Sequence, residues 1–274
     1  MTALKTFFAQ NGLIIVAFLE VLLVKLGVFF LFVLVTELIA RLLKHTDDRS
    51  FEAGWTMKGV VEVFLVFTAF QALTVFFKGD IEGASLEAVA VFWSIIQYLF
   101  LCVLTIFFVC GIFGATLASL GLRPADLKKD LAKSAEYLLY LGLVCAVVKI
   151  LYSYEILEAT TKITRRLNLQ DLFAGGWMSW MKYGLVLVVS PVTEEIFYRG
   201  FMYPAVRNKT GPLFAIVLIS FLFTVLHFDG RFFILVFLLS CTLCFLYETR
   251  RSLVSPIILH AAYNLCVILG LFHY

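Results

Sequence analysis

Charge is what this sequence lacks. Only 15% of its 274 residues are Asp, Glu, Lys or Arg, while 62% are hydrophobic and 16% aromatic. A soluble domain carries about a quarter charged residues and is near half apolar. A fold of this size could not hide so much apolar surface from water, so the chain reads as an integral membrane protein. The scarcity excludes other classes too. A net charge of +3 is too small for a surface that tracks nucleic-acid phosphates, and so apolar a chain is not disordered. The six cysteines, at 102, 110, 145, 241, 244 and 266, fall inside apolar stretches. They do not form the framework of a secreted disulfide scaffold. Cys241 and Cys244 make a lone CxxC without a second pair, which suits packing on a helix face better than a zinc or redox site. Internal repeats and low-complexity segments are also missing.

What is there is eight apolar segments, at 13–40, 60–77, 89–120, 137–157, 178–206, 212–228, 232–247 and 253–271. A helical span needs about 20 residues. None of the segments alternates as a barrel strand does, so the expected fold is all-α and polytopic, with about eight transmembrane helices around a buried polar cavity. The first run is too long for the apolar core of a signal peptide and is expected to be a span. The stretch 123–136 reads as an amphipathic surface helix. This organises the chain as residues 1–136, N-terminal spans plus the surface helix, and residues 137–274, a helical core. With eight spans, the loops after the odd-numbered ones and their flanks hold twelve Lys and Arg, from Arg41 to Arg251, against seven on the other side. The positive-inside rule puts the richer side in the cytoplasm and both termini outside, with the cell membrane as the expected location.

Ionisable groups inside spans cost roughly 2.5–3.5 kcal/mol each at a helix centre. Glu194 and Glu195 are adjacent, with Arg199 four residues beyond the second. Spacing i,i+4 lets Arg199 neutralise Glu195. Glu194 is turned about 100° away and must face something polar. His227 ends the sixth segment. His260 and Asn264, again at i,i+4, share one face of the eighth. Counted from the ends of their helices, Glu194, His227, His260 and Asn264 fall within roughly two turns of a common depth. Pro191 frees a backbone carbonyl one turn back and permits a kink before the Glu pair. His45 and His273 look like loop and tail residues. Glu37 can pair with Arg41 at i,i+4.

Two chemistries suit this set. Glu194 and His227 can hold and deprotonate a water molecule, with His260 and Asn264 donating to an oxyanion. Alternatively, Glu194, His227 and His260 supply one carboxylate and two imidazoles to zinc with an open position.

Glu194-Glu195-x-x-x-Arg199, Phe223-x-x-x-His227 and His260-x-x-x-Asn264 resemble, in order, the three motifs of the CAAX-protease and bacteriocin-processing family, related to the type II CAAX prenyl endopeptidases. The resemblance covers about residues 178–271. It implies an eight-helix intramembrane endopeptidase. In that reading Glu194 activates water with His227, His260 and Asn264 stabilise the oxyanion, and Glu195 and Arg199 orient the site. Both metal-dependent and glutamate-dependent versions are compatible with it. The glutamate version is favoured here, because no Cys or extra carboxylate matches the motifs as a further ligand. The implied partners are the lipid bilayer and a peptide or protein substrate, either a prenylated CAAX-type tail or a bacterial peptide or sorting tail; nucleic acid is not among them. The competing readings are a catalytically idle immunity or scaffold protein and a transporter with a polar midplane site. HExxH, GxSG and GxGD motifs are absent from the sequence.

Overall fold

The computed structural model describes residues 2–43, 51, 53–77, 86–123, 126–152, 176–227, 233–269 and 271. Among these, eight long helical stretches follow the eight apolar segments, and no strand occurs. They are α1 (Thr2–Leu43), α2 (Met57–Phe77), α3 (Leu86–Ile106), α4 (Leu127–Tyr152), α5 (residues 176–210), α6 (Pro212–Leu226), α7 (Phe233–Arg250) and α8 (Val254–Ile268). Four stretches are long and apolar enough to cross a membrane: Leu19–Leu42, Met57–Thr74, Glu87–Ile112 and Phe233–Arg250. Only 17% of the first and third of these is buried inside the fold. Leu23, Leu34 and Val103 point outwards, a surface that only lipid accommodates. The molecule is an all-α, polytopic, integral membrane protein.

Two expectations are corrected in the connections. The third span does not run to residue 120. It widens into a π-helical turn at Phe107–Ile112 and ends there, because Gly114 takes a left-handed φ of +63°. A short 3-10 turn, Leu117–Leu120, follows. The surface helix and the fourth span are one element, since α4 runs unbroken from Leu127 to Tyr152. Nothing between Leu127 and Tyr152 breaks a helix, so the change from charged to apolar residues alters only what α4 faces.

α5 is the axis of the fold and packs against α1, α2, α3, α6, α7 and α8. Around it lies an aromatic-rich core, including Phe29 stacked on Phe64, Tyr198, Phe201, Tyr203 and Phe223. α8 closes against α4 and α7. One end of the bundle gathers the first, third, fifth and seventh connections. There Asn208 both donates to and accepts from the backbone of Phe51. The Gly121 carbonyl accepts from Leu253 N, the Tyr247 hydroxyl donates to Leu120 O, and buried Asp130 accepts from Arg250 and Ser255. Glu37 is bound at this end by Lys209 rather than by Arg41; a neighbouring helix supplies a nearer cation than its own next turn does.

No disulfide joins the cysteines at 102, 110, 145, 241, 244 and 266, and Cys244 is buried in the core. His45, His273 and residues 153–175 lie outside the described residues.

Candidate active site

The site is built on an irregularity in α5. Residues 185–189 form a π-helical turn, in which the Ser190 N–H bonds Leu185 O. The Val186 carbonyl then has no partner in its own helix. Its α-type donor, the Ser190 N–H, is taken, and its π-type donor would be residue 191, which is Pro and has no N–H. Asn264 of α8 supplies the missing donor, with Nδ2 3.0 Å from Val186 O. A side-chain amide nitrogen carries two N–H groups, so one remains for the cavity that Asn264 also lines.

After the α-helical turn Ser190–Glu194 comes a second π-helical stretch, Glu195–Met202, all eight of whose residues are buried. It brings the helix against the 3-10 turn. Gly200 is required there, because a Cβ would stand 2.9 Å from Leu120 O.

The two glutamates divide as their rotation predicts. Glu195 and Arg199 are fully buried behind the cavity. Glu195 Oε1 accepts from Arg199 at 2.9 Å and from His260 Nδ1 at 2.8 Å. Arg199 also donates to Ser240 Oγ at 2.6 Å and to Ser240 O at 3.2 Å, and it lies over the Phe223 ring. The charges of Glu195 and Arg199 therefore cancel within a network that fixes His260.

Glu194 faces the cavity. Its Oε1 accepts from Tyr98 at 2.9 Å and from Ser190 at 2.5 Å. Its Oε2 is 3.4 Å from His227 Nε2 and 3.9 Å from His260 Nε2. His227 Nδ1 is 2.7 Å from Phe223 O, and the ring stacks on Phe223. A carbonyl or carboxylate oxygen only accepts, so Nδ1 of each histidine carries a proton. When the rings are neutral, both Nε2 lone pairs turn towards Glu194 Oε2.

A cavity of about 270 Å³ opens here. Glu194, His227, His260 and Asn264 form its polar side; Phe233, Val236 and Leu239 of α7 form an apolar wall. Of the six residues singled out in the sequence, four thus line one cavity, while Glu195 and Arg199 back it. One carboxylate and two imidazoles are chemically a zinc donor set. However, among the described residues no three His, Cys, Asp or Glu side chains are arranged to hold a metal ion.

Two residues escaped the sequence reading. Ser190 lies four residues before Glu194, a spacing that could have exposed it. Tyr98 comes from α3, beside Gln97 in an apolar run, and no local spacing connects it to Glu194.

Fold and site together define a polytopic helical membrane protein with a carboxylate–imidazole centre enclosed between its helices. Residues 176–266, which contain all seven motif residues, match the family described as "Type II CAAX prenyl endopeptidase Rce1-like", so the resemblance drawn from three short motifs is borne out over this third of the chain. A similar protein is "Putative membrane peptidase YdiL" of Bacillus subtilis (strain 168), 30% identical over 82 residues. That alignment covers 30% of this chain and 34% of the relative, so the chain spans about a third of the curated relative it matches. No solved structure matches the chain.

Proposed function

We propose that this protein is an intramembrane endopeptidase that hydrolyses a peptide bond with water activated by Glu194 and His227. The observation that carries the reading is the convergence of Glu194 Oε2 with two Nε2 atoms, at 3.4 and 3.9 Å, on one cavity. Water held between Glu194 and His227 gives its proton to Glu194 Oε2, and the hydroxide attacks the peptide carbonyl. The free N–H of Asn264 faces the oxyanion. His260, its Nδ1 held by Glu195, turns Nε2 to the same side of the cavity and fixes one edge of the reacting group's position. Collapse of the tetrahedral intermediate expels the amine, which takes the proton from Glu194. Glu195 and Arg199 act through His260 by fixing its ring.

The cavity's apolar wall and membrane setting favour a substrate with an apolar attachment beside the scissile bond, and the family match favours a prenylated CAAX-type tail. The test is cleavage by the purified chain in detergent of a prenylated CAAX peptide and of the same peptide without the prenyl group, each with and without a chelator. The expected outcome is cleavage of the prenylated peptide that survives chelation. Preference for the bare peptide contradicts the substrate class. Loss of activity on chelation, restored by zinc, contradicts the metal-free step.

A further inference from the structure

α3 lies outside the segment that matches the endopeptidase family, yet it reaches the centre. Among the described residues, Tyr98 makes the one hydrogen bond to Glu194 from α1–α4, and it lines the cavity. The bond falls on Oε1, where Ser190 also donates. Two donors match in number the two lone pairs of that oxygen. Oε2 is left as the one turned to His227 and His260. Ser190 alone would not fix this division, because it sits on the same helix as Glu194 and moves with it. Tyr98 is anchored on another helix, whose adjacent Gln97 donates to Thr74 of α2. The phenol therefore references the carboxylate to the N-terminal half of the bundle.

We propose that Tyr98 is a positioning residue of the hydrolytic site: its hydroxyl holds Glu194 Oε1, so that Oε2 alone faces the imidazoles and accepts the proton from water. The inference rests on the reading of Glu194 as the base.

The test compares the full chain with Tyr98→Phe, Gln97→Ala and Glu194→Gln in detergent. Activity is measured on the prenylated CAAX peptide. Independently of activity, the rate at which a hydrophobic carbodiimide labels Glu194 is followed by peptide mass spectrometry. Tyr98→Phe keeps the ring and removes only the donor. It is expected to lower kcat about 10- to 100-fold with KM within about twofold, the scale of a misplaced catalytic group, and to speed labelling of Glu194 severalfold. Gln97→Ala loosens the anchor of α3 on α2 but leaves the phenol in place, and it is expected to lower kcat and to speed labelling by clearly less than Tyr98→Phe does. Unchanged labelling in Tyr98→Phe overturns the proposal, whether or not a peptide is cleaved. A fall in kcat shared equally by Gln97→Ala also overturns it, by assigning the effect to helix packing. Full activity of Glu194→Gln removes the reading beneath it. Loss in Glu194→Gln with parental kcat and labelling in Tyr98→Phe keeps that reading and removes only the role of Tyr98.

Discussion

At the scale of single residues, burial separates two glutamates that are neighbours in the chain. Glu194 opens on a cavity and its proton acceptance is the proposed chemistry. Glu195 is sealed against Arg199 and His260, so its loss should first be felt as instability. Breaking a buried ion pair by removing one partner costs about 3–5 kcal/mol, because the other charge is left uncompensated. Arg199→Ala is accordingly expected to lower the thermal midpoint in detergent markedly and to reduce the yield of folded protein, measured by fluorescence-detected gel filtration after heating. Glu194→Gln should keep the parental midpoint. If the two variants melt alike, the assignment of Glu195–Arg199 as support and Glu194 as chemistry is wrong.

At the scale of elements, the decisive feature is the pair of π-helical turns flanking Ser190–Glu194 in α5. The first leaves Val186 O to Asn264, so α8 mends a break in α5. Asn264→Leu leaves that carbonyl without a partner, at a cost of about 1–3 kcal/mol, and also removes the N–H that faces the cavity. Both stability and kcat are expected to fall. Asn264→Gln, whose amide is displaced by one methylene, should recover neither fully, as melting and turnover measured together will show. The second π-helical stretch depends on Gly200. Gly200→Val would press side-chain carbon on the Leu120 carbonyl, and a loss of about 1–3 kcal/mol from overpacking is expected, read as a lower thermal midpoint. A parental midpoint would mean that the 3-10 turn is free to move away.

Much at this scale was legible in the sequence. Each apolar segment became a helix, since twenty apolar residues in lipid have few other ways to satisfy their backbone. The i,i+4 spacings of Glu195–Arg199 and His260–Asn264 could be read directly, and Pro191 announced the freed carbonyl. Other features were hidden for a common reason. The partner of Glu37 and the arrival of Tyr98 both depend on contacts between helices far apart in the chain. Local periodicity carries no record of them.

At the scale of the whole molecule, the chain divides its charges by end. Arg123, Arg207, Lys209, Arg250 and Arg251 collect where the odd-numbered connections meet; Glu248, Asp130 and Glu37 hold the last four, and Arg123 donates to the Arg250 carbonyl. Lys182 pairs with Glu87 near the starts of α3 and α5. The positive-inside rule predicts that the first group lies in the cytoplasm. A cysteine placed at exposed Lys128 should then escape a membrane-impermeant maleimide in intact cells and react after permeabilisation. Labelling in intact cells would reverse the orientation. The matched segment also leans on helices outside it, since α5 packs on α1, α2 and α3. The N-terminal half is thus part of the apparatus that holds Glu194.

The most direct test of the central claim is turnover of the prenylated CAAX peptide by purified parent and Glu194→Gln proteins of equal thermal midpoint. Removal of a general base costs about 10²- to 10⁴-fold. The account predicts a fall in kcat of that size for Glu194→Gln. Parental turnover in that variant would contradict it.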